Sequence, residues 1–267
     1  MSRFTFGLYT DIQYADRPMR IGRFYRNALK KTEACISAFN ENDVDFIVHL
    51  GDMIDWSNQP EEGRKALTDV LRVIDRYPGP KHFLLGNHDV DSVPPEELAQ
   101  TLPFPGGRTW YSFDHKGVHF VMLDCNFDEQ ETPYRPGTTR WDDCWLPSFE
   151  LEWLKNDLAA AQSDVAVVMV HALLDDLSDR HVIRNAQAAR AILEGCGKQV
   201  IVFQGHMHCG RESETNGIGY HTLPAIVNGR THNVYWLVDV DDDAVTATIY
   251  DTLRRSGPQR RVLLKRK

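Results

Sequence analysis

Apolar residues in this chain fall into short continuous runs, separated by longer stretches in which they recur every three or four positions. Residues 4–9 (FTFGLY) read as a first strand that closes at Thr10-Asp11. Residues 24–39 place Leu29, Ala34, Ile36 and Ala38 at helical spacing. Residues 46–50 read as a second strand ending at Gly51-Asp52, and 61–75 as a second helix, with Pro60 just before it and Pro78 soon after. Residues 81–85 form a third strand running into Gly86-Asn87-His88-Asp89.

The rhythm then changes. Residues 109–113 and 118–123 predict a hairpin turning at Lys116-Gly117. A helix over 149–161 precedes a strand over 165–170 that ends at His171. A helix over 185–194 precedes a strand over 199–203 that leads to Gly205-His206-Met207-His208. Further strands follow at 219–223, 235–240 and 245–250, with Asp241-Asp242-Asp243 as a turn. The pattern is α/β, a βαβ-type start with an antiparallel-rich finish, and sheets covered on the outside by helices account for both halves. No repeat or linker divides the chain, so 1–267 reads as a single domain with a β-rich part at 218–251. The segment 124–147 is irregular, and a connection that long is uncommon unless it is functional or mobile.

Composition narrows the function classes. Apolar residues at 42% and aromatics at 10% are those of an ordinary soluble globule. A net charge of -8 offers no global attraction to nucleic acid, so no nucleic-acid partner is expected. The apolar runs are too short for membrane insertion. The five cysteines are an odd number with no CxxC pair, and the N-terminus lacks the apolar core of a signal peptide. A cytoplasmic location is expected. Protein partners are not legible.

Five strand-like runs each end in groups of metal-ligand type: Asp11 with Gln13, Asp52, Asn87 with His88, His171, and His206 with His208. Open α/β sheets gather ligands at the carboxyl ends of their strands. A carboxylate such as Asp52 offsets the repulsion of two neighbouring cations, imidazoles suit borderline metals, and the Asn87 amide adds a ligand without charge. Gly51, Gly86 and Gly205 each stand just before one of these groups, where backbone has to turn sharply or approach closely.

These residues resemble the calcineurin-like metallophosphoesterase superfamily, whose pattern is Asp-x-His, Gly-Asp, Gly-Asn-His-Asp/Glu, a later His, and Gly-His-x-His. The resemblance implies a four-layer α/β/β/α sandwich of two mixed sheets and a dinuclear metal-dependent phosphohydrolase. It implies a first metal on Asp11, Asp52 and His208 with Gln13 near it, and a second on Asp52, Asn87, His171 and His206. His88 is implied beside the phosphoryl group, and Asp89 either orients His88 or caps a turn. Gln13 stands where the superfamily usually has His, which shifts the first site toward harder metals. Together with the stretches Thr10 to Asp16 and Arg23 to Asn27, with Gly51-Asp52-Met53-Ile54-Asp55, and with Gly210 after the late Gly-His-x-His, it is most similar to the manganese-dependent ADP-ribose/CDP-alcohol diphosphatase branch. The resemblance therefore implies two divalent ions, manganese first with iron, zinc or magnesium as alternatives. It implies hydrolysis of the pyrophosphate bond of small nucleoside diphosphate conjugates by a metal-activated hydroxide. A phosphomonoesterase or phosphodiesterase, or a catalytically weak scaffold on the same fold, are the competing readings.

For substrate contacts, Arg17, Arg20, Arg23 and Arg26 recur every third residue; they read as a solvated helix face or as phosphate contacts, with Arg23 and Arg26 the candidates for a second phosphate. Tyr14, Phe24, Tyr25, Trp56 and Trp141 are candidates for stacking on a base, Tyr14 and Trp56 first because they follow ligand loops. The basic pairs Arg254-Arg255 and Arg260-Arg261 read as a phosphate-contacting edge or a solvated tail.

Overall fold

The computed structural model describes residues 3–175, 177–252 and 257–265. In chain order the elements are β1 (Phe4–Tyr9), α1 (Tyr25–Glu41), β2 (Phe46–His49), α2 (Pro60–Ile74), β3 (Lys81–Phe83), α3 (Asn87–Ser92) and α4 (Pro95–Thr101). There follow β4 (Tyr111–His115), β5 (Val118–Leu123), α5 (Ser148–Ala160), β6 (Val165–Val170), α6 (Ala186–Gly195), β7 (Gln199–Gln204), β8 (Arg211–Thr215), β9 (Ile218–Thr222), β10 (Val234–Val240), β11 (Ala244–Asp251) and β12 (Gln259–Lys265). Every predicted strand and helix is present, with ends shifted by a few residues. The short helices α3 and α4 and the edge strands β8 and β12 are additions. Arg260 and Arg261 lie in β12; Arg254 and Arg255 lie outside the described residues.

The strands form two six-stranded sheets, ordered β12-β11-β10-β1-β2-β3 and β4-β5-β6-β7-β9-β8. In the first, β1, β2 and β3 run parallel and β10 to β12 join antiparallel. In the second, β5, β6, β7 and β9 run parallel, flanked by antiparallel β4 and β8. Side chains alternate across each strand. Phe6 and Phe46 of the first sheet meet Phe120 of the second edge-on, at centroid distances of 5.5 and 5.2 Å. The opposite face of the first sheet carries Tyr9 against Phe39 of α1. On the outer face of the second sheet, Ala166, Val168 and Val170 of β6 share a buried apolar cluster with Leu154 and Leu158 of α5 and Leu193 of α6. The result is four layers, helices outside and two sheets within. Because both faces of β6 are covered, all six of its residues are buried, which is why it reads as an unbroken apolar run.

Candidate metal centre

The parallel strands bring five chain segments to one rim. Asp11 and Gln13 follow β1, Asp52 follows β2, Asn87 and His88 follow β3, His171 follows β6, and His206 and His208 follow β7. The local backbone is unusual here. Asp11, Gln13, Asp52 and His206 all have positive φ, at 52°, 42°, 60° and 65°. A non-glycine residue in that region costs of order 1–3 kcal/mol and persists where surrounding structure holds it. Two of the preceding glycines have a steric cause: a Cβ on Gly86 would collide with the carboxylate and backbone nitrogen of Asp52, and one on Gly205 with the hydroxyl of Thr10.

Donor atoms of Asp52, His171 and His206 lie within 4.8 Å of one another, and all three residues are buried. Ligand atoms at that spacing can hold a metal ion. Three histidines at the rim each have one ring nitrogen committed elsewhere. His171 donates Nδ1–H to the Leu50 carbonyl at 2.8 Å, since a carbonyl only accepts. His206 donates Nε2–H to the Trp141 carbonyl at 3.0 Å, and His208 donates Nδ1–H to Asn228 Oδ1 at 3.2 Å. The other nitrogen of each ring is the one a metal would take, as in metal sites where a hydrogen bond on the far side sets the ring.

Polar atoms crowd together unpaired. The acceptors Asp11 Oδ1, Gln13 Oε1 and Asn87 Oδ1 are buried with no hydrogen-bond partner, and so is His171 Nε2. His171 Nε2 stands 3.5 Å from Asp52 Oδ2, and His208 Nε2 3.4 Å from Asp11 Oδ1. Such groups are expensive to bury unpaired, and a cation would pair them all. Gln13 places its amide nitrogen 2.8 Å from Asp52 Oδ2 and 3.1 Å from His208 Nε2, so its two N–H groups stand between acceptors that face one another. Electrostatics agree. Burial pushes the Asp52 carboxyl up, but the charge of His171 and the nearby His88 outweigh it and hold Asp52 well below the usual range. Burial opposes the charge on His171, yet Asp52 and Asp11 raise it to about 10. Desolvation, with His171 next, lowers His206 to about 3.

His88 sits beside this group. Its backbone N–H donates to Asp52 Oδ1 at 2.9 Å. Its Nδ1 lies 2.8 Å from Asp55 Oδ1, with the Trp56 N–H alongside at 3.1 Å. Asp55 is buried and also pairs with Arg17. Of the two roles open for Asp89, the geometry matches the turn cap: its carboxylate accepts the backbone N–H groups of Asp52, Ile54 and Gly86 at 2.9, 3.1 and 3.0 Å. Sequence reasoning assigned Asp55 no role, although it stands only three residues after Asp52.

A cavity of about 260 Å³ opens over the group, lined by Gln13, Arg23, Asp52, Asn87, His88, Trp141, His181, His206 and His208. Arg23 is therefore at the site. Tyr14 and Trp56, the favoured aromatics, line a separate neighbouring cavity of about 370 Å³ with Arg17 and Asp55. Arg26 is exposed and bound to Asp16 at 2.6 Å. Trp141, from the irregular segment, and His181, which had no assigned role, sit at the cavity instead. Their rings are 5.2 Å apart, and the His181 ring is 5.1 Å from that of His206. Asp179 holds His181 Nδ1 at 2.7 Å.

Residues 4–210 match the model of the calcineurin-like phosphoesterase family. A manganese-dependent ADP-ribose/CDP-alcohol diphosphatase of Arabidopsis thaliana is 28% identical over 133 residues, covering 47% of this chain and 43% of that protein. The human protein named serine/threonine-protein phosphatase CPPED1 is 29% identical over 133 residues, covering 47% and 41%. The matched stretch thus spans less than half the length of either curated relative. The crystal structure of a dimetal phosphatase from Danio rerio superposes with a TM-score of 0.80 at 20% identity, over 98% of this chain and 99% of that one, and shares the fold.

Proposed function

Because the chain belongs to the calcineurin-like phosphoesterase family, we propose that it hydrolyses phosphoric esters or anhydrides with two divalent cations held in the cup at the strand ends. The observation that carries this is the convergence of unpaired buried polar atoms, from strands of both sheets, on Asp52. Asp11, Asp52 and His208 would hold one ion, with Gln13 beside it, and Asp52, Asn87, His171 and His206 the other. The oxygen-rich first set suits manganese; the imidazole-rich second also suits zinc or iron. Two such ions supply Lewis acidity toward a phosphoryl oxygen and lower the pKa of a bound water.

The chain's own residues do the rest. His88 faces the same cavity and donates a hydrogen bond, and finally a proton, to the oxygen that leaves phosphorus. The Trp56 N–H fixes its ring from the Nδ1 side, with Asp55 next to it and Arg17 holding Asp55 in turn. Asp89 fixes the turns that carry Asp52 and Asn87. Arg23 presents a planar fork to phosphate oxygens at the cavity wall. Trp141, 40% exposed at the rim, offers a face for a base, with His181 next to it.

The substrate we favour is a small nucleoside diphosphate conjugate of ADP-ribose or CDP-alcohol type, on the strength of the plant relative and of Gln13 in the place usual for His. The human relative favours a second reading, a phosphomonoesterase. A panel of ADP-ribose, CDP-choline, aryl phosphate and phosphoserine peptide, run with manganese, separates them. Turnover of the two diphosphates above the monoesters is expected. Cleavage of monoesters alone would overturn the diphosphatase reading and leave the phosphoesterase one standing.

A further inference from the structure

Lys31 is a buried cation without a carboxylate. It projects from α1 and is 6% exposed, and among the described residues no acidic group pairs with it. Its Nζ donates instead to three backbone carbonyls of one loop: Ile226, and Asn228 and Gly229 at 3.0 Å each. Three carbonyls turned on one ammonium form the kind of cage that a bound cation makes, and they use all three of its donors. Buried carbonyls that converge need donors between them, and here the ammonium supplies all three.

That loop threads through the metal centre. Ile226 and Val227 donate their backbone N–H groups to the carbonyls of Thr10 and Asp11 at 3.2 and 3.0 Å, and Ala225 donates to the carbonyl of His208 at 3.1 Å. The Asn228 side chain grips His208 from both sides: Oδ1 accepts from its ring, and Nδ2 donates to its carbonyl at 3.3 Å. Asn228 also bridges to the backbone of Arg23, at the cavity wall.

We propose that Lys31 is a positioning residue for the metal site: its ammonium sets the 226–229 loop so that Asn228 fixes the His208 ring with Nε2 toward Asp11. The inference rests on the reading of His208 as a ligand. Hydrogen bonds that orient a ligating histidine are each worth roughly 10–100-fold in metal affinity. Lys31 acts at one further remove, through the loop, on the Asp11–His208 ion and not on the Asp52–His171–His206 ion.

The test is manganese titration of the wild-type protein and of Lys31→Met, Asn228→Ala and the double variant, with thermal unfolding of each metal-free protein and ¹⁵N NMR of the His208 ring. Methionine keeps the length and apolar stem of lysine and removes both the charge and the three donors that hold the loop; Lys31→Gln, which keeps two donors, serves if Lys31→Met does not fold. The expected result is two manganese sites in the wild type. One should weaken about 10-fold or more in Lys31→Met, and in the same way in Asn228→Ala, while the other stays within about 2-fold. The double variant should be no weaker than the worse single variant, and in metal-free Lys31→Met the His208 ring should lose its preference for the Nδ1–H form. A folded Lys31→Met or Lys31→Gln with a lowered Tm but unchanged affinity at both sites would reduce Lys31 to a stabilising role and overturn the proposal. Losses that multiply in the double variant would do the same. A wild type that binds no manganese would overturn the metal reading itself.

Discussion

The side chains at the rim are arranged less by their neighbours in sequence than by partners far along the chain. His88 owes its ring setting to the Trp56 N–H and its backbone position to Asp52. Its ring is engaged by the Trp56 N–H rather than by the acceptor cluster, which supports a place with the reacting group and not with the ions. Replacing His88 with alanine should therefore leave manganese stoichiometry intact and lower kcat by roughly 10²- to 10⁴-fold; steady-state kinetics alongside metal analysis checks it, and loss of either ion in that variant would refute the role. Residues of ligand type were legible in sequence because each strand end repeated the same chemistry, a carboxylate, amide or imidazole, and three of the five put a glycine just before it. Asp55, Asn228 and His181 were not. Their roles depend on which atom they face across the fold, and nothing in a lone Asp or Asn marks that. Tyr14 and Trp56, preferred for their nearness in sequence to ligand loops, line the adjoining cavity, whereas Trp141 lines the cavity over the ligand-type group.

At the scale of elements, the site exists because β1, β2 and β3 in one sheet and β6 and β7 in the other end at the same rim, and their turns are drawn tight. The loop after β3 passes so close to Asp52 that Gly86 has no room for a Cβ. Gly86→Ala should cost about 1–3 kcal/mol as an overpacked contact, seen as a lowered Tm, and should weaken manganese binding together with stability. A variant with wild-type Tm and affinity would show that the turn is looser than described. Buried strands such as β6 were readable as apolar runs. Strands β8 and β12 were not, since RESET and QRRVLLK lie at sheet edges with one face open and carry the polar residues that edges favour. Helices α3 and α4 are too short to show a period.

For the molecule as a whole, the net charge of -8 says little, because the decisive imbalance is local. Asp11 and Asp52 are buried among neutral amides, and in the metal-free protein the balancing charge is a proton on His171, held up to pH about 10. An ion that takes His171 Nε2 must displace that proton. Manganese affinity should therefore rise with pH from 6 to 8, about tenfold per unit for one proton released, and level off as pH passes His171's own value near 10. Calorimetry in buffers of different ionisation heat reads the proton directly, and a pH-independent affinity would mean that His171 is not displaced. The most direct measurement is anomalous diffraction at the manganese edge from crystals grown with the metal. The account predicts two peaks about 3.5–4 Å apart, with Asp52 between them, His208 on one and His171 and His206 on the other. A single peak held by Asp52, His171 and His206 alone, or no peak at the rim, would contradict it.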